Sequence, residues 1–341
     1  MKIIVDAFGG DNAPLAPIAG AVDAHLEYNV EIILTGDEAT IKKVAAENDL
    51  SLDGITIVHA PDVFTNDDQP STIRSKAKAN TSMAVGLNLL KKGEGDAFVS
   101  AGNSGALGAG AMFLVKRIKG IQRVAFAPVM PNLNGQFMLI DSGVNTDVRP
   151  KALQQFAMMG SIYMNKVMGC ENPRVGLANV GTEEHKGDQL RQETYLLLKD
   201  TPSINFVGNV EGRDIPLDGC DVAVCDGFTG NMILKTYEGV AKALMKKIKG
   251  VFTKNLKTKL AAAMVLKEMK ELKKSMDYDE VGGAPVLGCA KPVFKAHGSA
   301  NAKTIKNAIR VTIDYVKNDV IASITEALKD IADTDSENEG E

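Results

Sequence analysis

The sequence predicts an α/β protein with a three-layer α/β/α arrangement around a mostly parallel, mixed sheet. Three observations carry that reading. Six apolar, β-rich runs end in Gly, Asp, Asn or Ser and pass straight into helical patterns, the alternation that builds βαβ units with helices on both sheet faces. One stretch, FAPVMPNLNGQFMLIDSG (126–143), has instead the form of two strands turned at Asn132–Gly135, an antiparallel addition that makes the sheet mixed. The composition is ordinary for a globular chain: 341 residues, 45% hydrophobic and 24% charged. That suffices for one large α/β unit or two closely joined ones.

The six units are IIVDAFGGDNAP (3–14), EIILTGDEATIKKVAAEN (31–48), DAFVSAGNSGAL (96–107), RVGLANVGTEEHKGDQLRQETYLLL (174–198), DVAVCDGFTGNMIL (221–234) and VFKAHGSANAKTIKNAI (293–309). In parallel βαβ order the loops after the strands gather at one sheet edge, where ligands bind. Asp11, Asn103, Lys186, Thr229 and His297 each follow such a strand and are expected to converge there. DAFVSAGNSG (96–105) and DVAVCDGFTG (221–230) share the pattern D-x-x-V-x-x-G-x-[ST]-G. Two readings of this echo stay open: a turn that α/β folds reuse, or two related halves that each present a helix start to one cleft.

Composition excludes several classes. No apolar run is long enough to span a membrane. The start, MKIIVDAFGG, lacks the apolar and cleavage regions of a secretory signal, so a cytosolic protein is expected. Cys170, Cys220, Cys225 and Cys289 form no CxxC pair, and the four histidines are not clustered. Neither a disulfide framework nor a metal site is expected. A net charge of −4 argues against general nucleic-acid binding.

Gly102 and Gly105, with Asn103 and Ser104 between them, suit an anion at a helix start, because glycine admits close approach and Asn or Ser caps the helix. Capping alone is the plainer reading. The glycine spacing 102, 105, 108, 110 is not GxGxxG, and no GxxxxGK[ST] occurs, so neither nucleotide fingerprint is present. In NVGTEEHKGDQL (179–190), Lys186 offers a compact charge for a phosphoryl oxygen or an oxyanion and His185 a base. A solvated first helical turn explains the same residues. His297 in KAHGSAN is equally open to a structural role. Asp226 ends an apolar run and is expected to cap its own loop or pair with a cation. No GxSxG or catalytic cysteine signature appears, which fits a reaction in which an anionic substrate itself attacks.

From Lys242 to Lys274 there are eleven Lys and two Glu, with no Asp or Arg. The pattern reads as two amphipathic helices broken near Gly250 or around Lys257–Leu260. The apolar stretch LAAAMVL (260–266) lies among these lysines. It suits a helix packed on the body, a membrane-surface element, or a dock for an acidic partner.

VDAFGGDNAP, IRSKAKANTSM, VSAGNSGALGAG, DSGVNTDVRPKALQQFAMMG, NVGTEEHKGDQL, CDGFTGN, GGAPVLG and KAHGSAN, in that order, strongly resemble the bacterial phosphate acyltransferases, or acyl-ACP:phosphate transacylases. The resemblance runs from Met1 to about Ile331. It implies a Rossmann-like fold related to the phosphotransacetylase and isopropylmalate-dehydrogenase types. It implies a homodimer without cofactor that moves a long fatty acyl group from acyl carrier protein to inorganic phosphate. The acyl phosphate then serves phospholipid synthesis through a membrane glycerol-3-phosphate acyltransferase. The family is peripheral on an anionic membrane surface.

On this resemblance Lys186, Asn103 and His297 are the expected catalytic residues. Gly9, Gly10, Asp11, Gly102, Ser104, Gly105, Asp226, Thr229, Gly230 and Asn231 are expected to hold phosphate or acyl phosphate. Arg74 and Lys76 add charge if their helix faces the cleft. Lys257, Leu260, Met264, Leu266 and Lys267 are the expected membrane or carrier surface. The chain departs from the family pattern at Phe8, Asn12 and Ser104, where Met, His and Thr are common. Asn12 weakens a base in the first loop, and His185 lies where the family often has Gly. The expected organisation is a single catalytic unit over 1–332, with a lysine-rich helical protrusion at about 239–276 and an acidic disordered tail at 333–341. Three rivals remain: a phosphotransacetylase-like enzyme using short acyl-CoA, an NAD-dependent dehydrogenase of related fold, and a non-enzymatic membrane-bound scaffold of lipid synthesis, which would explain residues 242–274 but leave the glycine turns idle.

Overall fold

A computed structural model describes residues 1–65, 67–275 and 282–338. Twelve strands are formed among them: β1 Lys2–Asp6, β2 Glu31–Gly36, β3 Ile55–His59, β4 Ala97–Ser100, β5 Ala125–Phe126, β6 Val129–Pro131, β7 Gln136–Ile140, β8 Arg174–Asn179, β9 Asn205–Glu211, β10 Val222–Val224, β11 Ala284–Leu287 and β12 Val293–Lys295. The helices are α1 Leu15–Tyr28, α2 Glu38–Glu47, α3 Ser82–Lys92, α4 Ser104–Gly110, α5 Pro150–Lys166, α6 Gln189–Lys199, α7 Gly227–Thr253, α8 Leu256–Met264, α9 Leu266–Ser275, α10 Ala302–Lys317 and α11 Val320–Asn338. The last takes in part of the acidic end, and 339–341 lie outside the described residues.

The α/β class holds, but the strands form two mixed sheets rather than one. The first has the order β3-β2-β1-β4-β12-β11-β5, the second β6-β7-β10-β8-β9. β1 pairs in parallel with β2 and β4, and β12 in parallel with β4. β11 and β5 close that sheet antiparallel. In the second sheet β7, β10, β8 and β9 run parallel. β6 turns back on β7 through Asn132, whose Oδ1 accepts the Gly135 N–H at 2.6 Å, the hairpin expected from sequence. The handover between sheets falls at Pro128. Ala127 N–H still donates to Pro285 in the first sheet, whereas the Pro128 carbonyl accepts from Leu139 in the second. Proline has no N–H to continue a ladder, so one strand run is divided between two sheets.

The same local chemistry ends most βα turns. Asp37, Asn103, Asp188, Asp226 and Asn301 each cap the helix that follows, accepting a backbone N–H two or three residues into it. The echo noted in the sequence lies on β4 and β10, each an inner strand of its sheet. Each has a neighbour, β1 or β7, followed at once or ended by a buried aspartate, Asp6 or Asp141. Apolar side chains of both sheets join in one core, with Val5, Val99, Ile140, Phe156, Val224 and Phe294 all buried.

α7 departs from the expected break. It runs through Gly250 to Thr253, and the chain turns at Lys254–Asn255, where Asn255 and Thr258 form a reciprocal capping box that starts α8. Lys257–Leu260 therefore lies inside a helix, and the lysine-rich segment has three helices. A glycine inside a helix is unfavourable by only about 1 kcal/mol, an amount similar to what one satisfied N-cap contributes. α8 has no buried residue and packs chiefly on α7 and α9.

Candidate active site

A cavity of about 560 Å³ opens at the C-terminal ends of the strands, between the two sheets. Its walls come from the loops after β1 (Phe8, Gly10, Asp11), β3 (Val63–Thr65), β4 (Ala101–Ser104), β7 (Ser142, Gly143) and β12 (His297, Gly298). The segment from Phe126 to Met130, one face of α7, Gly282 and Ala284 before and on β11, and Lys295 at the end of β12 complete it. Polar groups gather at Asp11, Asn103, Ser104, Lys295, His297 and Asn231. Phe8, Val63, Phe64, Phe126, Val129, Met130 and Leu234 supply an apolar wall.

The β1 and β4 loops are held by a buried carboxylate. Asp6 Oδ2 accepts from Ser100 Oγ at 2.7 Å, and Ser100 Oγ accepts the Gly102 N–H at 3.0 Å. Burial raises the Asp6 pKa, against hydrogen bonds from Ser82, Ser100 and the Phe8 N–H and the charge of Lys295. The backbones pass so closely that a Cβ on Gly9 would lie 2.6 Å from the Gly102 nitrogen. Gly9 thus shapes the turn from behind, while Gly10 and Gly102 face the cavity. Asp11 N–H donates to Gly298 O at 2.7 Å, and Asn12 Nδ2 donates to Ser299 O and Ala300 O. Asn12 therefore ties the β1 loop to the β12 loop.

Asp141 does the same work in the second sheet. It accepts from the N–H groups of Phe126, Gly143, Val144 and Asn145 and from Asn145 Nδ2. That cage sets Ser142 and Gly143 in the wall. Burial raises the Asp141 pKa in spite of these donors. A Cβ on Gly230 would collide with the Asp141 carbonyl oxygen, so only glycine lets α7 start this close to β7.

Lys295 ends β12 inside the site. Its Nζ donates to Ala101 O at 3.0 Å and Ala296 O at 2.6 Å. Desolvation brings its pKa down to about 8, opposed by Asp6 and Asp11. His297 Nδ1 takes the Ser299 N–H at 3.2 Å and lies 2.8 Å from Ser299 Oγ. In the neutral ring Nε2 then bears the hydrogen. Burial lowers the His297 pKa, and Glu238 opposes that shift. Asn103 spends its Oδ1 on the Ala106 N–H at 2.8 Å, so its amide NH₂ is the donor end.

The structure brings together Gly10, Asp11, Gly102, Asn103, Ser104, Asn231 and His297. Gly9, Gly105, Lys186, Asp226, Thr229 and Gly230 are not among the lining residues. Gly105 packs on Pro70. Lys186 and His185 lie exposed in the β8–α6 loop. Asp226 caps α7 through the Thr229 N–H at 2.8 Å and is ion-paired to Arg191, which also donates to Thr229 Oγ1. Arg74 lies 4.9 Å over the Phe113 ring, and neither it nor Lys76 lines the cavity.

Lys235, Glu238 and Lys295 line the cavity without having been singled out in the sequence. Lys295 stands two residues before His297 in a motif already marked. Asn231, Leu234, Lys235 and Glu238 recur at i, i+3, i+4 and i+7, one face of a helix. That spacing was the available signal.

Comparison with known proteins agrees across almost the whole chain. The sequence profile of the family described as "Fatty acid synthesis protein" matches residues 1–323. The phosphate acyltransferase of Thermoanaerobacterium thermosaccharolyticum is 47% identical over 333 residues, 98% of each chain. That of Acetivibrio thermocellus is 51% identical over 310 residues, 91% of each chain. In fold, the chain is similar to a phosphotransacetylase from Streptococcus pyogenes, with a TM-score of 0.60 at 16% identity over 93% of this chain and 94% of that one. It is likewise similar to a phosphotransacetylase from Staphylococcus aureus, with a TM-score of 0.57 at 15% identity over 96% and 94%. These two likenesses concern the fold alone. The near-complete match to sequence relatives carries more, and by it this chain belongs to the phosphate acyltransferase family.

Proposed function

We propose that the chain transfers a long-chain acyl group from acyl carrier protein to inorganic phosphate, giving acyl phosphate for phospholipid synthesis. The observation that supports this most is the two-sided cavity, whose polar end suits a tetrahedral anion and whose apolar wall suits an acyl chain. Phosphate at neutral pH is already an anion, so it needs positioning more than activation. One phosphate oxygen attacks the thioester carbonyl carbon. The carbonyl oxygen takes up negative charge, the C–S bond breaks, and the sulfur leaves as a thiolate that then takes a proton.

In this reading Lys295 and Lys235 counter the phosphate charge, and the Asn103 amide and His297 Nε2–H donate to the oxyanion. Lys186 is proposed as a second-rank cation that acts from the neighbouring loop. Asp226, Thr229 and Gly230 fix the start of α7 and so the face that bears Asn231, Lys235 and Glu238. The apolar wall favours a long acyl chain over the short acyl-CoA of a phosphotransacetylase-like enzyme.

α8 and α9 are proposed as the surface that meets acyl carrier protein, which is acidic, and an anionic membrane. Leu260, Met264 and Leu266 are exposed there beside Lys257 and Lys267. No helix among the described residues is long and apolar enough to cross a membrane, so contact would be peripheral. A membrane glycerol-3-phosphate acyltransferase would then receive the product. Phe228, Met232, Val240 and Leu244 form an exposed ridge along α7, which a second copy of the chain would cover in a homodimer.

The deciding experiment incubates pure protein with long-chain acyl-acyl carrier protein and phosphate. Acyl phosphate should form, and free carrier should appear only when phosphate is present. Thioester loss that ignores phosphate would rule the reading out.

A further inference from the structure

Glu238 is the buried carboxylate of the cavity wall, whereas Asp11, the other acid in the lining, is exposed. A pocket for a phosphate dianion gains from cations and N–H donors, yet this carboxylate lines its wall with a side chain only 9% exposed. Burying a carboxylate is unfavourable unless its oxygens are matched. Oε2 is matched by the Lys235 ammonium at 3.0 Å. Oε1 faces His297 Nε2 at 4.0 Å, beyond hydrogen-bond reach. A nearly buried carboxylate therefore keeps acceptor capacity on the wall of the cavity.

At neutral pH inorganic phosphate keeps at least one hydrogen, whereas sulfate, of similar size and shape, keeps none. An ionised carboxylate only accepts. It is matched by the O–H of hydrogen phosphate and meets only lone pairs and like charge on sulfate. We infer that Glu238 accepts the hydrogen of hydrogen phosphate and thereby makes the cavity select protonated tetrahedral anions over sulfate. The inference rests on the cavity being the phosphate site.

The same contact changes sign during the reaction. An acyl phosphate is a stronger acid than hydrogen phosphate, so the phosphate loses its hydrogen once the acyl C–O bond has formed. The thiolate released as the C–S bond breaks gains one hydrogen and becomes the carrier thiol. Glu238 then faces an unprotonated phosphate oxygen, and like charge favours release of the product.

The test measures competition by arsenate, which keeps a hydrogen as phosphate does, and by sulfate against acyl phosphate formation; thioester loss is not the readout, because arsenate attacks the thioester in place of phosphate. In the wild type, arsenate should compete near the phosphate KM and sulfate roughly 10²-fold more weakly or worse. In Glu238→Gln, whose amide can donate, sulfate should compete within about tenfold of arsenate while the phosphate KM rises. A parallel change for all three anions, as expected of a carboxylate that merely pins Lys235, would overturn the inference. If Glu238→Gln does not fold, the wild type decides, because equal inhibition by sulfate and arsenate also overturns it. Absence of any phosphate-dependent turnover in the wild type would instead defeat the functional reading itself.

Discussion

The Ser100 hydroxyl joins the Asp6 carboxylate to the turn that faces the cavity, donating to Asp6 Oδ2 at 2.7 Å while accepting the Gly102 N–H at 3.0 Å. One buried acid on β1 thus sets the backbone after β4. Ser100→Ala removes both bonds and leaves Asp6 and the Gly102 N–H short of a partner. The expected loss is about 1–3 kcal/mol of stability, read as a lower urea midpoint at unchanged slope. The phosphate KM should rise as well, since the turn that carries Asn103 and Ser104 loses its support. Unchanged stability and KM together would show that Ser100 only fills space.

Two lysines compete for the role of principal anion-binding cation. Lys295 lines the cavity and is fixed by two carbonyls, whereas Lys186 lies outside the lining on an exposed loop. Lys295→Met should lower kcat/KM by roughly 10²–10³-fold, the scale of losing one preorganised charge stabiliser. Lys186→Ala should lower it less. The reverse ranking in steady-state assays would move the reacting centre towards the β8–α6 loop and away from the cavity.

Lys295 also predicts a pH dependence. Burial brings its pKa to about 8, so the cation is lost above that pH and the phosphate KM should climb roughly tenfold per further unit. The stability effect has the opposite sign. Between about pH 8 and the ordinary lysine value of 10.5, the unfolded chain binds more protons than the folded one. Stability from this group therefore grows as pH rises through that window and is lost as pH falls below it. Weaker phosphate binding above pH 8 without a lower melting temperature is the expected signature, and Lys295→Met should abolish the KM change.

The turns were legible in the sequence, and their convergence only in part. Asp37, Asn103, Asp188, Asp226 and Asn301 follow apolar runs, so each helix start could be read locally. The division into two sheets could not, because it depends on Ala127 and Pro128 bonding to strands far away, at Pro285 and Leu139. β3 and β9 do not stand out as strands, since ITIVH and NFVGNVE carry less apolar weight than the inner strands. At the site, residues on loops drew attention because glycine and caps mark them. Lys235 and Glu238 lie in the middle of a helix, where only the face they share with Asn231 gives them away.

Arg191 is expected to hold the start of α7. It is ion-paired to Asp226 and donates to Thr229 Oγ1, with both charged side chains largely buried. Desolvation pushes the Asp226 pKa up, but the Thr229 N–H and O–H and the Arg191 charge outweigh it and hold the carboxyl below its ordinary value. Its stabilisation is present above the unfolded pKa of about 3.8 and is lost as pH falls through the folded value. Arg191→Ala should cost on the order of 3 kcal/mol at pH 7 and flatten the acid limb of the stability profile. Arg191→Ala with Asp226→Asn should recover part of the loss, because no unpaired charge then stays buried. Additive losses in the double-mutant cycle would show that the pair is not coupled.

The lysine-rich helices give a prediction that separates location from chemistry. Leu260 and Leu266 are 61% and 52% exposed, so neither contributes to the body of the fold, and lysines at 257, 259, 267 and 270 surround them. An apolar edge ringed by cations suits an anionic bilayer, with the side chains in the headgroup region and each lysine near the surface adding about 1 kcal/mol. Leu260→Glu with Leu266→Glu should release the protein from anionic vesicles in a sedimentation assay. At saturating soluble acyl-acyl carrier protein kcat should stay near wild type, because exposed substitutions of this kind usually change stability by no more than about 0.5 kcal/mol, while the KM for the acidic carrier should rise, since the two added carboxylates repel it. High salt should weaken wild-type vesicle binding in the same assay. Unchanged vesicle binding in the double variant, with a shifted sedimentation coefficient in the absence of lipid, would reassign these leucines from membrane contact to the contact between two copies of the chain.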